Sequence, residues 1–204
     1  AAPEAEWPFA VALETTFGTR YCGGSLVAPT WVLTAGHCRL YPASQVRAIT
    51  GTSDLDGTAG QRIGAVRQVR HPGYRQLAEP SAATPIALAQ GDLGHRTGDI
   101  LHVAGWGSTS YDAISDNFGP GSAVLRQTPV RVQDDRRCVN AYGSDAFHPQ
   151  DMVCASLPGR DACAGDSGGP LVSGTGPGAT LVGVVSWGTG CAMRRYPGVY
   201  ALVA

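Results

Sequence analysis

Long apolar runs are missing from this sequence. None approaches the roughly 18–20 residues that a membrane-spanning helix needs, so no membrane partner is expected. Charge is sparse as well. Only 15% of residues are charged, the formal net charge is −1, and no basic block, acidic tail or run of like charge occurs. That pattern excludes the electrostatic footprint of a nucleic-acid binder or of a protein held on an anionic membrane. The first residues, AAPEAEWPF, have neither the charged start nor the apolar core of a signal peptide, and read as a mature segment or a domain excerpt. Sustained apolar periods of 3.6 residues are scarce, which argues against a helical protein. No two cysteines form a CxxC pair, which disfavours zinc or thioredoxin chemistry. No GK[ST] follows the glycines, which excludes a phosphate-binding loop of that type.

What is present points to β-structure. The 28 glycines and 14 prolines favour many short elements separated by turns. Short β-prone runs recur: PFAVALE, WVLTA, QVRAIT, DILHVAGW, LRQTPVRVQ, ATLVGVVSWG and GVYALVA. They predict an antiparallel sandwich or barrel. The segment DDRRCVNAYG is the one short helix expected. The 204 residues suffice for one domain, or for two half-domains sharing an interface. The six cysteines, at 22, 38, 138, 154, 163 and 191, read as three disulfides of an oxidising compartment. Counting alone leaves 15 connectivities open.

Two segments suit nucleophilic catalysis. In DACAGDSGGPLV, Ser167 sits among glycines. A nucleophilic serine needs adjacent backbone N–H groups to hold the oxyanion formed on attack. Gly165 can take the dihedrals that aim its N–H there, and Ser167 supplies its own. On its own, GDSG equally describes a glycine-rich hairpin turn. In WVLTAGHC, His37 follows an apolar strand and precedes Cys38, while Cys22 lies upstream in YCGGSLV. A lone histidine there is more often structural than catalytic. A bridge between those cysteines would contribute roughly 3 kcal/mol and fix the backbone that carries His37. His71, His95, His102 and His148 are scattered without ligand spacing, so no metal or other cofactor is expected.

Taken in order, YCGGSLV, WVLTAGHC, VAGWG, DACAGDSGGPLV, VGVVSWGTGC and YPGVY resemble the trypsin-like (chymotrypsin-family) serine proteases, with bacterial actinomycete-type trypsins nearest in appearance. The resemblance covers nearly the whole chain. It implies an all-β fold of two antiparallel six-stranded barrels in a single peptidase domain, with a boundary at about residue 105. It implies disulfides Cys22–Cys38, Cys138–Cys154 and Cys163–Cys191. His37 would be the general base, Ser167 the nucleophile, and Gly165 and Ser167 the oxyanion donors. Asp161 would lie at the base of the primary specificity pocket, where a buried carboxylate calls for a substrate Arg or Lys. Gly188 and Gly198 would form the pocket walls. Ser186, Trp187 and Gly188 would pair with the substrate backbone as an added strand. Asp166 would sit in the activation pocket, facing a mature amino terminus that starts earlier than Ala1. The implied protein is secreted and monomeric. Its partners would be polypeptides with Arg or Lys at the cleavage site, and protein protease inhibitors.

The sequence departs from the family in three places. The amino-terminal tip and the last helix are not in the chain. The third departure is chemical: the motif resembling DIALLRL, which carries the triad aspartate, is not found near RHPGYRQLAEP or SAATPIALAQ. Pro85 could occupy the aspartate position, but the run from there to Gly105-Trp106-Gly107 is too short. A better alignment leaves roughly a dozen residues absent between Tyr74 and Leu77, and with them part of a strand of the first barrel. Glu79, Asp54, Asp56, Asp92 and Asp99 are not convincing substitutes, and Ser186 loses its expected partner. Loss of the aspartate costs turnover roughly 10⁴-fold by releasing the histidine tautomer. Two readings follow: a secreted endopeptidase cutting after Arg or Lys, or a protease-like protein that binds without turnover.

Overall fold

The computed structural model describes residues 1–69, 74–77, 85–90 and 95–203. Six strands close the first barrel: β1 (Ala10–Thr15), β2 (Arg20–Ala28), β3 (Trp31–Leu33), β4 (Val46–Thr50), β5 (Gln61–Gln68) and β6 (Tyr74–Leu77). They pair in the order β1-β2-β3-β6-β5-β4 and back to β1. The expected gap in this barrel is therefore corrected. The four residues of β6 pair with β3 on one side, Leu33 opposite Tyr74, and with β5 on the other. Pairing uses backbone groups, so a strand this short still satisfies both neighbours' edges.

The second half holds β7 (Ala87–Leu88), β8 (Ile100–Gly105), a small hairpin of β9 (Tyr111–Asp112) and β10 (Asn117–Phe118), then β11 (Arg126–Val132), helix α1 (Asp135–Tyr142), β12 (Met152–Ser156), β13 (Pro170–Ser173), β14 (Thr180–Trp187) and β15 (Gly198–Leu202). The sheet runs β13-β8-β11-β12-β15-β14, and β14 pairs again with β13, so these six form a ring. β7 pairs in parallel with the first residues of β14, Thr180 opposite Ala87, before β15 joins that side. Helix α1 starts where expected because the Asp134 carboxylate accepts from the Arg136 N–H.

Period-2 alternation sets the faces. On β5, Ile63 and Ala65 are buried while Arg62, Gly64 and Val66 are exposed. β1 is buried throughout. Its Glu14 carboxylate is held by Arg47 from β4 at 3.2 Å and Arg62 from β5 at 3.7 Å. One apolar cluster fills the first barrel and continues across to Trp106, Leu125 and Val184. A second, around Leu101, Val130, Val153, Leu171 and Tyr200, fills the other barrel. All three expected disulfides form, with Cα–Cα distances of 6.1, 6.2 and 5.2 Å for Cys22–Cys38, Cys138–Cys154 and Cys163–Cys191. The halves are stitched near the cleft by Leu55 N–H to Ala123 and Leu125 N–H to Ser53 hydrogen bonds, at 2.9 and 2.7 Å.

Candidate active site

Ser167 lies on the loop before β13, half-buried between the barrels. Glycines at both sides make the turn, with φ of +93° at Gly165 and +81° at Gly168. The loop is tied down residue by residue. The Asp166, Gly168 and Gly169 N–H groups donate to the carbonyls of Cys163, Val185 and Asp166 at 3.0, 2.7 and 2.8 Å. Among the described residues, the N–H groups of Gly165 and Ser167 have no such acceptor. Two donors beside the nucleophile are thus left free.

The loop docks on the first barrel next to His37. The Gly23 N–H donates to the Ser167 carbonyl at 2.7 Å, and the Cys38 Sγ lies 3.5 Å from the same oxygen. A Cβ on Gly168 would collide with the Thr34 hydroxyl and the Gly23 carbonyl, and would lie 2.9 Å from the Ala35 N. His37 follows two residues later in the 3-10 turn Gly36–Cys38. One imidazole nitrogen and the sulfurs of Cys22 and Cys38 lie within 4.8 Å of one another. Both sulfurs are consumed in a disulfide, so this trio offers no thiolate to a metal. The serine loop therefore packs against the backbone that leads into His37.

His37 is solvent-exposed, yet partial desolvation lowers its pKa from the usual 6.5. Among the described residues no carboxylate hydrogen-bonds it. Asp56 pairs with Arg20, Asp54 accepts from the Asp56 N–H, and Asp99 accepts from the Arg96 N–H. Pro85 is exposed. Glu79, Asp92 and His71 lie outside the described residues. The Ser186 hydroxyl, half-buried on β14, has no hydrogen-bond partner among the described residues.

Beside Ser167 opens a cavity of about 200 Å³, walled by Ser186, Trp187, Gly188, Gly198 and Tyr200. Asp161 lies behind Gly198, whose missing Cβ leaves room for the carboxylate. Its oxygens accept from the Ala162 and Ala192 N–H groups at 2.9 and 3.2 Å. Burial still dominates and pushes Asp161 up to about 7. Tyr200, wholly buried, turns its hydroxyl toward this carboxylate region and is itself raised by burial. The wall is braced from outside. Tyr142 of α1 meets Trp187 edge-on at 4.7 Å and donates to the Pro197 carbonyl at 2.6 Å.

A larger cavity, about 380 Å³, is lined by Gly105, Gly107, Asp161 and Asp166. Asp166 accepts from the Gly107 N–H at 2.7 Å and the Cys163 N–H at 2.9 Å, while burial raises it to about 6. A Cβ on Gly107 would lie 2.6 Å from the Asp166 Cγ. The GWG motif thus has a packing role that the sequence did not reveal. Gly23, Thr34, Tyr142 and Tyr200 were likewise not singled out. Only the motifs containing them gave a signal, because their partners lie far along the chain.

The chain is similar to known proteins over its length. A family model described as Trypsin matches residues 1–204. "Trypsin 5G1" of Aedes aegypti is 38% identical over 219 residues, covering 99% of this chain and 78% of that protein. "Trypsin" of Saccharopolyspora erythraea is 37% identical over 212 residues, covering 96% and 88%. "Trypsin" of Simulium vittatum is 34% identical over 218 residues, covering 96% and 83%.

Proposed function

The chain belongs to the trypsin family and is a trypsin-like serine protease, and from that premise we propose that it hydrolyses polypeptides after Arg or Lys. The observation that carries the chemistry is the pair of free N–H groups at Gly165 and Ser167 beside the nucleophile. In this reading the Ser167 hydroxyl attacks the scissile carbonyl, and His37, kept neutral by its lowered pKa, takes the proton. The carbonyl oxygen becomes an oxyanion that accepts from those two N–H groups. His37 returns the proton to the leaving amine, and an acyl-enzyme ester remains on Ser167. Water, deprotonated by His37, then releases the acid.

Asp161 supports the preference for cations. An isolated buried carboxylate with its pKa near 7 gains most from a partner that restores its charge. Gly188 leaves space for a long side chain, Gly198 gives its space to the Asp161 carboxylate, and the end of β14 with the following Gly188 offers Ser186 to Gly188 for strand addition. Protein inhibitors that present an extended loop would use the same edge. Three disulfides support secretion into an oxidising compartment. We take the working unit to be a monomer and a single peptidase domain.

A second reading rests on one observation. No described carboxylate orients His37, which favours a protein that retains the pocket and turns over slowly or not at all. Hydrolysis of an arginyl peptide amide by the parent and by Ser167→Ala separates the two. Turnover that disappears with Ser167 establishes the protease. Equal, background rates, with no fluorophosphonate adduct on Ser167, establish the binding protein.

A further inference from the structure

Against the outside of the pocket wall lies a second cleft, about 450 Å³, lined by Arg137, Asn140, Ala141, Arg194 and Arg195. All three arginines are exposed, and among the described residues none has a carboxylate partner. The grouping is built rather than incidental. Arg137 of α1 donates to the Gln133 side chain at 2.6 Å and to the Arg194 carbonyl at 3.0 Å, which locks the helix to the loop before β15. Arg195 lies over the Tyr196 ring at 5.6 Å. Three like charges around one depression repel each other until an anion enters. The overall charge is −1, so the cluster does not reflect a generally basic surface. Guanidinium forks suit carboxylates in particular.

We infer that this cleft is an acidic-residue subsite, which takes Asp or Glu side chains of a polypeptide substrate upstream of the cleaved bond. The inference rests on the proposed strand addition at Ser186 to Gly188. Tyr142 connects the two places: it abuts Trp187, and Arg137 lies five residues earlier on the same helix. That is about 7.5 Å along the axis. An extended peptide spans it with two or three residues beyond the one paired with Gly188, at about 3.3 Å each.

The test is equilibrium binding to the Ser167→Ala protein, read by anisotropy of labelled peptides. One peptide carries a glutamate tract, a neutral spacer and the cleavage-site arginine. A second replaces the glutamates by glutamines, and a third keeps them but replaces the arginine by glutamine. The expected result is about tenfold tighter binding of the first than of the second at about 0.02 M salt, falling toward parity at about 0.5 M. Arg194→Gln with Arg195→Gln should abolish the difference. Equal or undetectable binding of the first two peptides overturns the subsite, as does an advantage that survives the double substitution. The third peptide reads the primary pocket separately. If it binds as well as the first while the glutamate advantage persists, the Arg/Lys preference fails and the subsite stands.

Discussion

Asp161 makes the sharpest prediction. Its carboxylate is buried and accepts two backbone N–H bonds, yet desolvation outweighs them and places its pKa near 7. A planar cation such as benzamidinium should bind only the ionised form. With a pKa of about 7, roughly nine-tenths of the free protein is ionised at pH 8 and about one-hundredth at pH 5. The dissociation constant should therefore rise about 90-fold between those values, close to 2.7 kcal/mol. Near pH 6, each binding event should release almost one proton, because the cation holds Asp161 ionised. Calorimetry in buffers of different ionisation enthalpy reads both quantities. Asp166 also titrates in this window, near 6, so Asp161→Asn is the control. The variant should bind weakly, with a flat profile. An affinity constant from pH 5 to 8 in the parent would mean that Asp161 is solvated and charged throughout. The pocket argument would then fail.

Three further outcomes are expected. Asp161 and Asp166 both have folded pKa values raised above the unfolded carboxylate range, so their stabilising effect is full below about pH 4 and is lost as pH rises to about 7. The ligand-free protein should melt higher at pH 5 than at pH 8, and Asp166→Asn should reduce that difference in a calorimetric scan while leaving the part due to Asp161. His37 has a lowered pKa with no carboxylate among the described residues to raise it, so the acid limb of kcat at saturating arginyl ester, where the bound cation already holds Asp161 ionised, should fall below pH 6.5. An acid limb above 7 would reveal a carboxylate partner. Gly168→Ala forces a side chain at φ +81° into Thr34 and the Gly23 carbonyl, and should cost about 3 kcal/mol in denaturant unfolding together with nearly all turnover.

Most of the architecture was legible because the motifs are local. WVLTAGHC names a strand and the turn after it, and DACAGDSGGPLV names a turn and the strand after it. DDRRCVNAYG, expected as a short helix, is one among the described residues, and the Asp134 cap and buried Cys138 supply its physical reason. What escaped notice joins residues far apart. Gly168 must lack a side chain because of Thr34, and Gly107 must lack one because of Asp166. Glu14 is tolerated inside the first barrel because Arg47 and Arg62 come from two other strands. None of these pairings has a sequence period. The closure of the first barrel escaped for another reason. A strand shortened in sequence was read as a strand lost, whereas a ladder needs only enough backbone to span its neighbours.

That distinction decides how the missing aspartate should be weighed. β6 pairs along Trp31–Leu33, and the chain leaves that strand directly for Thr34 and His37. It therefore secures the platform of the imidazole even where it brings no described carboxylate to it. Gly168 against Thr34, and the Cys38 sulfur against the Ser167 carbonyl, fix the same platform from the opposite side. The backbone that carries His37 is thus held from both sides, and in the proposed mechanism tautomer control is what the missing aspartate puts in question. The penalty for that is roughly 10⁴ in turnover, or about 5.5 kcal/mol of barrier. Oxyanion donors and substrate binding retain roughly 10³–10⁴ over water without an intact triad. Protease and binding protein would then share one structure and differ in a rate. Only a kinetic measurement that follows Ser167, at a sensitivity matched to that loss, can tell them apart.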